Sequence, residues 1–203
     1  MMRKNQVEII ERELLALNRS KLSILEWGSG GSTIHFPGFL RSNGIDCDWF
    51  SIEHNKEWYD NVSEELRDDK DLKVYLLDAV KNSGVSVRNV AMDDYVSFPA
   101  SLGMRFDFIL VDGRKRRRCL LEARKLLKPH GIVMLHDAQR RYYHCGFKYF
   151  SDSRFMDMEL WRGSHIRPPM LKRISNKWRY AYYRFIRLLY KNGIFFREDP
   201  DRA

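Results

Sequence analysis

Hydrophobic positions along the chain switch period repeatedly. Residues 6–17, QVEIIERELLAL, place Val7, Ile10, Leu14 and Leu17 at helical spacing. Leu22 to Leu25 is instead a short apolar run that stops at a glycine-rich turn, as a strand buried on both faces does. The runs DWFSIE (48–53), LKVYLL (72–77), FDFILV (106–111) and IVMLH (132–136) repeat that pattern. Between them NKEWYDNVSEELRDD (55–69) reads as a helix. So does 116–127, with Cys119, Leu120, Ala123, Leu126 and Leu127 on one face and the stop signal KPHG behind it. A helix over 33–43 is interrupted or delayed by Pro37-Gly38, and the polar stretch 79–104 predicts a long connection. Alternating strands and helices predict an α/β fold: a Rossmann-like, doubly wound, mostly parallel sheet with helices on both faces.

The composition suits one body with an appended segment, with 44% hydrophobic and 31% charged residues over 203 positions. The net charge of +9 is unevenly placed. From Arg162 onward there are eleven Lys/Arg against three Asp/Glu, whereas residues 1–161 hold 25 against 24. The expected division is therefore a ligand-binding domain at 1–160 and a basic amphipathic segment at 161–203. A nucleic-acid binder of uniformly basic character would look different. No run approaches the ~20 apolar residues of a membrane span. Glu8, Glu11 and Glu13 break the apolar core that a signal peptide needs. Cys47, Cys119 and Cys145 lack CxxC spacing and read as reduced thiols, so a cytoplasmic location is expected.

Ligands of such sheets bind beyond the carboxyl ends of the strands. All five readable strands end at or beside an acid: Glu26, Glu53, Asp78, Asp112 and Asp137. Gly28 and Gly30, in "EWGSGGST", allow a tight turn and a close backbone approach to a ligand. Glu26 is placed to accept from a cationic amine, directly or through water, Glu53 from two ribose hydroxyls, and Asp78 from an adenine amine. A dinucleotide would bring a pyrophosphate past Glu26, which repels it, and the spacing is not GxGxxG. S-adenosylmethionine carries an amino acid and a sulfonium but no phosphate, and fits this set of acids.

"LEWGSGGST", "FSIEHNKEWYDNV", "LLDAV" and "FDFILVDG…LLKPHGIVMLHD" resemble, in order, the motifs of class I S-adenosylmethionine-dependent methyltransferases across roughly residues 20–140. The finer likeness is to small bacterial O-methyltransferase-like proteins of polysaccharide and secondary metabolism. The resemblance implies that Glu26, Gly28, Gly30 and Ser32 line the methionine part, Glu53 the ribose and Asp78 the adenine. It places Ser29, His54, Ala79 and Asp112 at the cofactor as well.

For the transfer itself, Asp112 and Asp137 end neighbouring strands and could hold a divalent cation such as magnesium, as in the catechol-type O-methyltransferases that this arrangement resembles. Those enzymes continue Asp-Asn, whereas this chain has Asp137-Ala138, so the third ligand is missing. Without a metal, His136 or His144 is the candidate base, and His136 reads equally as a packed, hydrogen-bonded core residue. No NPPY-type amino-methylating motif is present, which favours oxygen as the acceptor atom. In RKRRR (114–118), Arg114 is the side chain expected to meet an acceptor carboxylate or phosphate, with Arg140 and Arg141, followed by Tyr142, Tyr143 and His144, as the opposite wall.

The tail over 172–196 places Trp178, Ala181, Tyr182, Phe185, Leu188 and Leu189 on one helical face among basic residues. It can lie on the inner membrane face, pack against the sheet, or form a homodimer. The expected function is O-methylation of a sugar, polysaccharide or other small hydroxyl acceptor. An RNA methyltransferase and a non-catalytic Rossmann-like adaptor are the rivals.

Overall fold

The computed structural model describes residues 2–77 and 90–191. Among these, a single sheet holds β1 (Lys21–Trp27), β2 (Asp46–Glu53), β3 (Leu72–Leu76), β4 (Phe106–Val111), β5 (Leu127–Leu135), β6 (Asp152–Phe155) and β7 (Trp161–Ser164). Their order across the sheet is β3-β2-β1-β4-β5-β7-β6. β1 to β5 run parallel, and β7 runs antiparallel between β5 and β6.

The central strands are buried on both faces because alternate side chains enter two separate cores. Leu25, Trp27, Ile109 and Val111 pack with Tyr95, Cys119, Leu120 and Trp161 on one face. Leu22, Ile24, Phe108 and Leu110 pack with Ile10, Leu14, Phe36 and Leu40 on the other. The first face is covered by α4 (Asp93–Ser101), α5 (Arg116–Leu126) and a 3-10 helix at Arg141–Tyr149. The second is covered by α1 (Lys4–Leu15) and α2 (Gly31–Ser42), while α3 (Lys56–Glu65) links β2 to β3. The doubly wound arrangement predicted by the sequence is present.

Four sequence expectations change. The helix after the glycine turn is not delayed: α2 starts at Gly31 and runs through the buried Pro37, forgoing only the amide bond that a proline cannot make. The connection at 79–104 contains α4, a helix of only nine residues that carries Pro99, which reads as a breaker in the sequence. KPHG does not separate helix from strand. β5 begins at Leu127 and bulges against β4 between the pairs Phe106↔Leu127 and Phe108↔Ile132, with Lys128 paired to Asp107 at 2.7 Å. The boundary at 160/161 also fails, since Trp161–Ser164 is β7 and bonds to both β5 and β6 inside the sheet.

The final helix, α6 (Met170–Lys191), lies against β6. Tyr180 and Tyr183 pack on the first core, Asn176 Nδ2 donates to Asp152 Oδ1 at 3.0 Å, and Tyr183 Oη donates to the Met156 carbonyl at 3.3 Å. These are not the residues of the face that the sequence pattern singles out. Trp178, Tyr182, Phe185 and Leu188 of that face are exposed.

Candidate active site

The carboxyl ends of β1, β2, β4 and β5 meet in one place. At the end of β1 the chain turns through Gly28 with φ +98°. A Cβ on Gly28 would stand 2.6 Å from the Gly113 Cα, so the turns after β1 and β4 touch backbone to backbone. Over Gly30 and Gly31, by contrast, a built Cβ would meet nothing within 4 Å, and the space above the turn is open.

Two carboxylates hold this turn. Glu53 is nearly buried, yet each oxygen is well supplied. Its Oε2 accepts from the Ser29 amide at 2.9 Å and the Ser29 hydroxyl at 3.2 Å. Its Oε1 accepts from the amides of His54 and Asn55, both at 2.8 Å, and lies 2.8 Å from His54 Nδ1. Burial alone would raise its pKa. The His54 ring and the two amides outweigh that and hold it below the ordinary glutamate value. Asn55 caps α3, accepting from the Trp58 amide.

Glu26 is fully enclosed. Its Oε2 accepts from Thr33 Oγ1 at 2.6 Å, Trp49 Nε1 at 3.1 Å and Ser51 Oγ at 3.3 Å, and Oε1 accepts from Ser32 Oγ. Thr33 in turn takes the Gly30 amide at 3.0 Å, so Glu26 fixes the shape of the turn through Ser32 and Thr33. Desolvation is the largest influence on its pKa and lifts it to about 7 against those hydrogen bonds, with Asp112 adding to the rise.

At the ends of β4 and β5 the two aspartates are bridged by Arg116. Its guanidinium lies 3.0 Å from Asp112 Oδ1 and 3.1 Å from Asp137 Oδ2, and donates to the carbonyls of Gly113 (2.8 Å) and His136 (2.7 Å). Arg140 adds a second contact to Asp137 at 2.8 Å. The metal expected at Asp112 and Asp137 finds no support: a guanidinium stands between the carboxylates and takes one oxygen of each. No group of three or more ligating side chains is found among the described residues either. Burial raises the Asp137 pKa, but Arg116, His136 and Arg140 prevail and lower it, so Asp137 is a fixed anion and a poor proton acceptor. Asp137 has φ 57° and Lys115 φ 49°, so both loops hold non-glycine residues in the left-handed region beside this cluster.

His136 is buried, with Nδ1 2.9 Å from Asp112 Oδ1 and Nε2 3.3 Å from Gln6 Oε1 of α1. This is the packed-histidine reading, with neither ring nitrogen open to a ligand. His144 is likewise engaged, by the Ala138 carbonyl at 2.9 Å and Tyr180 Oη at 3.2 Å. Asp78 and Ala79 lie outside the described residues.

Beside Gly113 opens a cavity of about 930 Å³, lined by the run Arg114–Arg118 with Arg140, Tyr142 and Tyr143. Of the wall expected there, Arg140, Tyr142 and Tyr143 are in the lining, while Arg141 and His144 are not. Arg118 is drawn toward α4, pairing with Asp93 and donating to the Ala91 carbonyl at 2.5 Å. Arg114 and Arg117 are exposed, and their side chains make no ion pair among the described residues. The ring centroids of Tyr142 and Tyr143 are 4.1 Å apart, and Tyr142 Oη donates to Tyr143 Oη at 2.6 Å. Tyr95 of α4 stands beside the turn after β4: its hydroxyl accepts from the Arg114 amide at 3.3 Å, and its ring meets His54 edge-on at 5.9 Å. Sequence reading missed Arg116 and Tyr95. The i,i+4 spacing of Asp112 and Arg116 was the available signal for the first.

No protein-family model matches the chain, and no curated protein sequence does. Solved structures do match. A methyltransferase-like protein from Silicibacter pomeroyi superposes with a TM-score of 0.60 at 21% identity, covering 86% of this chain and 93% of that one. The CMeT domain of a citrinin polyketide synthase superposes with a TM-score of 0.50 at 11% identity, over 73% of this chain and 47% of that one. The fold is that of the class I S-adenosylmethionine-dependent methyltransferases.

Proposed function

We propose that the chain is an S-adenosylmethionine-dependent methyltransferase that O-methylates a small anionic hydroxyl compound, such as an acidic or phosphorylated sugar. The carrying observation is the joint between the Gly28–Gly31 turn and Glu53. There an ionised, nearly buried acid is bonded to the turn beside the open space over Gly30. These residues fit the cofactor: the turn backbone with Ser29 and Ser32 would carry its methionine part, and Glu53 its ribose hydroxyls. When bound, S-adenosylmethionine supplies an electrophilic methyl group. The protein's part is then to orient an acceptor oxygen, whose hydroxyl proton would pass to water at the open cavity as the methyl group leaves sulfur for oxygen; no protein nucleophile is needed.

Titration calorimetry with S-adenosylhomocysteine tests this. Binding is expected, and Glu53→Ala should weaken it by at least ~1.5 kcal/mol through lost charge-assisted bonds. No binding by a folded sample would favour the adaptor instead.

The anionic acceptor rests on the cavity. Of its lining, Arg116, Arg118 and Arg140 are paired with Asp93, Asp112 and Asp137. Arg114 and Arg117, exposed and in no ion pair among the described residues, present planar forks suited to carboxylate or phosphate. These cations line one open cavity beside the glycine turn rather than a stripe across the body, which favours a small acceptor over RNA. Pyrophosphate should raise the Tm of the wild type and leave that of Arg114→Glu/Arg117→Glu unchanged, with S-adenosylhomocysteine affinity equal in both. Equal pyrophosphate shifts would remove the cavity from acceptor binding.

A further inference from the structure

More than half of the exposed large apolar side chains among the described residues lie on one helix, α6. Leu171, Ile174, Trp178, Tyr182, Phe185 and Leu188 recur at helical steps of three and four and form one stripe. All six are exposed, Leu171 at 82% and Trp178 at 74%. At 1.5 Å per residue the stripe is about 26 Å long. It is held pointing outward because the opposite side of the helix is fixed: Tyr180 packs on Phe155 at 5.6 Å, Asn176 bonds to Asp152, and Tyr183 bonds to the Met156 carbonyl.

The charge of the same helix selects what covers the stripe. Residues 170–191 contain seven Lys/Arg and no Asp or Glu. Lys177, Arg179 and Arg184 are exposed beside the apolar stripe. A second copy docking through this face would set one all-cationic helix against another, and the repulsion opposes it. A nucleic acid would satisfy the cations but leave Leu171, Ile174, Phe185 and Leu188 against phosphate and water. An anionic lipid surface satisfies both sets at once, since its acyl boundary takes the apolar stripe and its headgroups take the cations. Trp178 and Tyr182 are amphipathic rings suited to that boundary. No helix among the described residues is long and apolar enough to cross a membrane, so the contact is in the plane of the surface.

We infer that α6 docks the protein on an anionic membrane surface, with the Leu171–Leu188 stripe inserted at the headgroup boundary. This reading is independent of the methyl-transfer reading, which fails or holds on cofactor binding alone.

The test is co-sedimentation of the full chain with phosphatidylcholine vesicles and with vesicles rich in phosphatidylserine. The protein is expected to pellet with the second and not the first, and to be released by raised salt. Trp178→Ser/Phe185→Ser should lower partitioning at least about tenfold, because burial of the two rings is lost. Both side chains are exposed, so Tm and S-adenosylhomocysteine affinity should not move in the variant. Absence of binding to the phosphatidylserine vesicles, or equal binding of variant and wild type, would overturn the inference. A stable dimer in light scattering that the double substitution dissolves would also overturn it, by placing a second copy on the stripe.

Discussion

Substituting methionine for Arg116 should lower stability by about 3 kcal/mol in urea unfolding at neutral pH, the low end of what is lost when a buried ion pair loses one partner. The Arg116 side chain is only 13% exposed and serves two carboxylates and two carbonyls together. Methionine fills similar volume but leaves Asp112 and Asp137 facing each other without the intervening cation. Lysine should recover only part of the loss, because one ammonium cannot reproduce the planar bridge. The deficit should also depend on pH. In the native protein the Asp137 pKa is held down by Arg116, so this contribution is present above the ordinary aspartate range and fades as pH falls through the lowered native value. The gap between Arg116→Met and wild type should therefore narrow in acid. A loss under ~1 kcal/mol, with no narrowing, would reduce the bridge to an ordinary surface ion pair.

The Arg116 bridge also shows where sequence reading stopped. The five parallel strands could be read because each is a short apolar run ended by an acid, and that punctuation also located the glycine turn and its acids. What could not be read was how five consecutive basic residues divide their work. RKRRR looks uniform, and three cations in the first turn of α5 oppose the helix dipole. The fold gives them different fates through residues far away in sequence. Arg116 reaches Asp137 across the β4–β5 crossover, Arg118 reaches Asp93 at the start of α4, and Arg114 and Arg117 are left facing the cavity. Tyr95 was hidden for a similar reason. α4 is short and carries Pro99, and its apolar residues acquire meaning only once the turns after β1 and β4 lie beneath them. In α6 the periodicity was legible and the sidedness was not. The aromatic residues outnumber what one face can hold, and Phe155 of β6, His144 and the Met156 carbonyl decide that Tyr180 and Tyr183 turn inward.

Glu26→Gln should change the pH dependence of stability more than any other single substitution at the site. Burial raises the Glu26 pKa to about 7 in the folded chain from the ordinary 4.5. An acid whose folded pKa is raised binds more protons when native than when unfolded. Stability therefore falls as pH rises from about 4.5, and levels off once Glu26 is ionised in both states. The shift corresponds to about 3 kcal/mol across that interval. Gln cannot ionise, so the stability of the wild type relative to Glu26→Gln should decline by about that amount between pH 4.5 and pH 8. The amide oxygen can take the place of Oε2 and accept from Trp49 Nε1, with the NH2 donating to the Ser32 hydroxyl. That exchange adds an offset independent of pH, so the slope, not the level, is the readout. Parallel stability curves would show that the hydrogen bonds from Ser32, Thr33, Trp49 and Ser51 fully compensate for burial. If the slopes differ as expected, any cation bound over the turn favours the ionised form of Glu26. Affinity for a sulfonium or ammonium ligand should then rise with pH through the same interval, which links a structural acid to the proposed cofactor without direct contact between them.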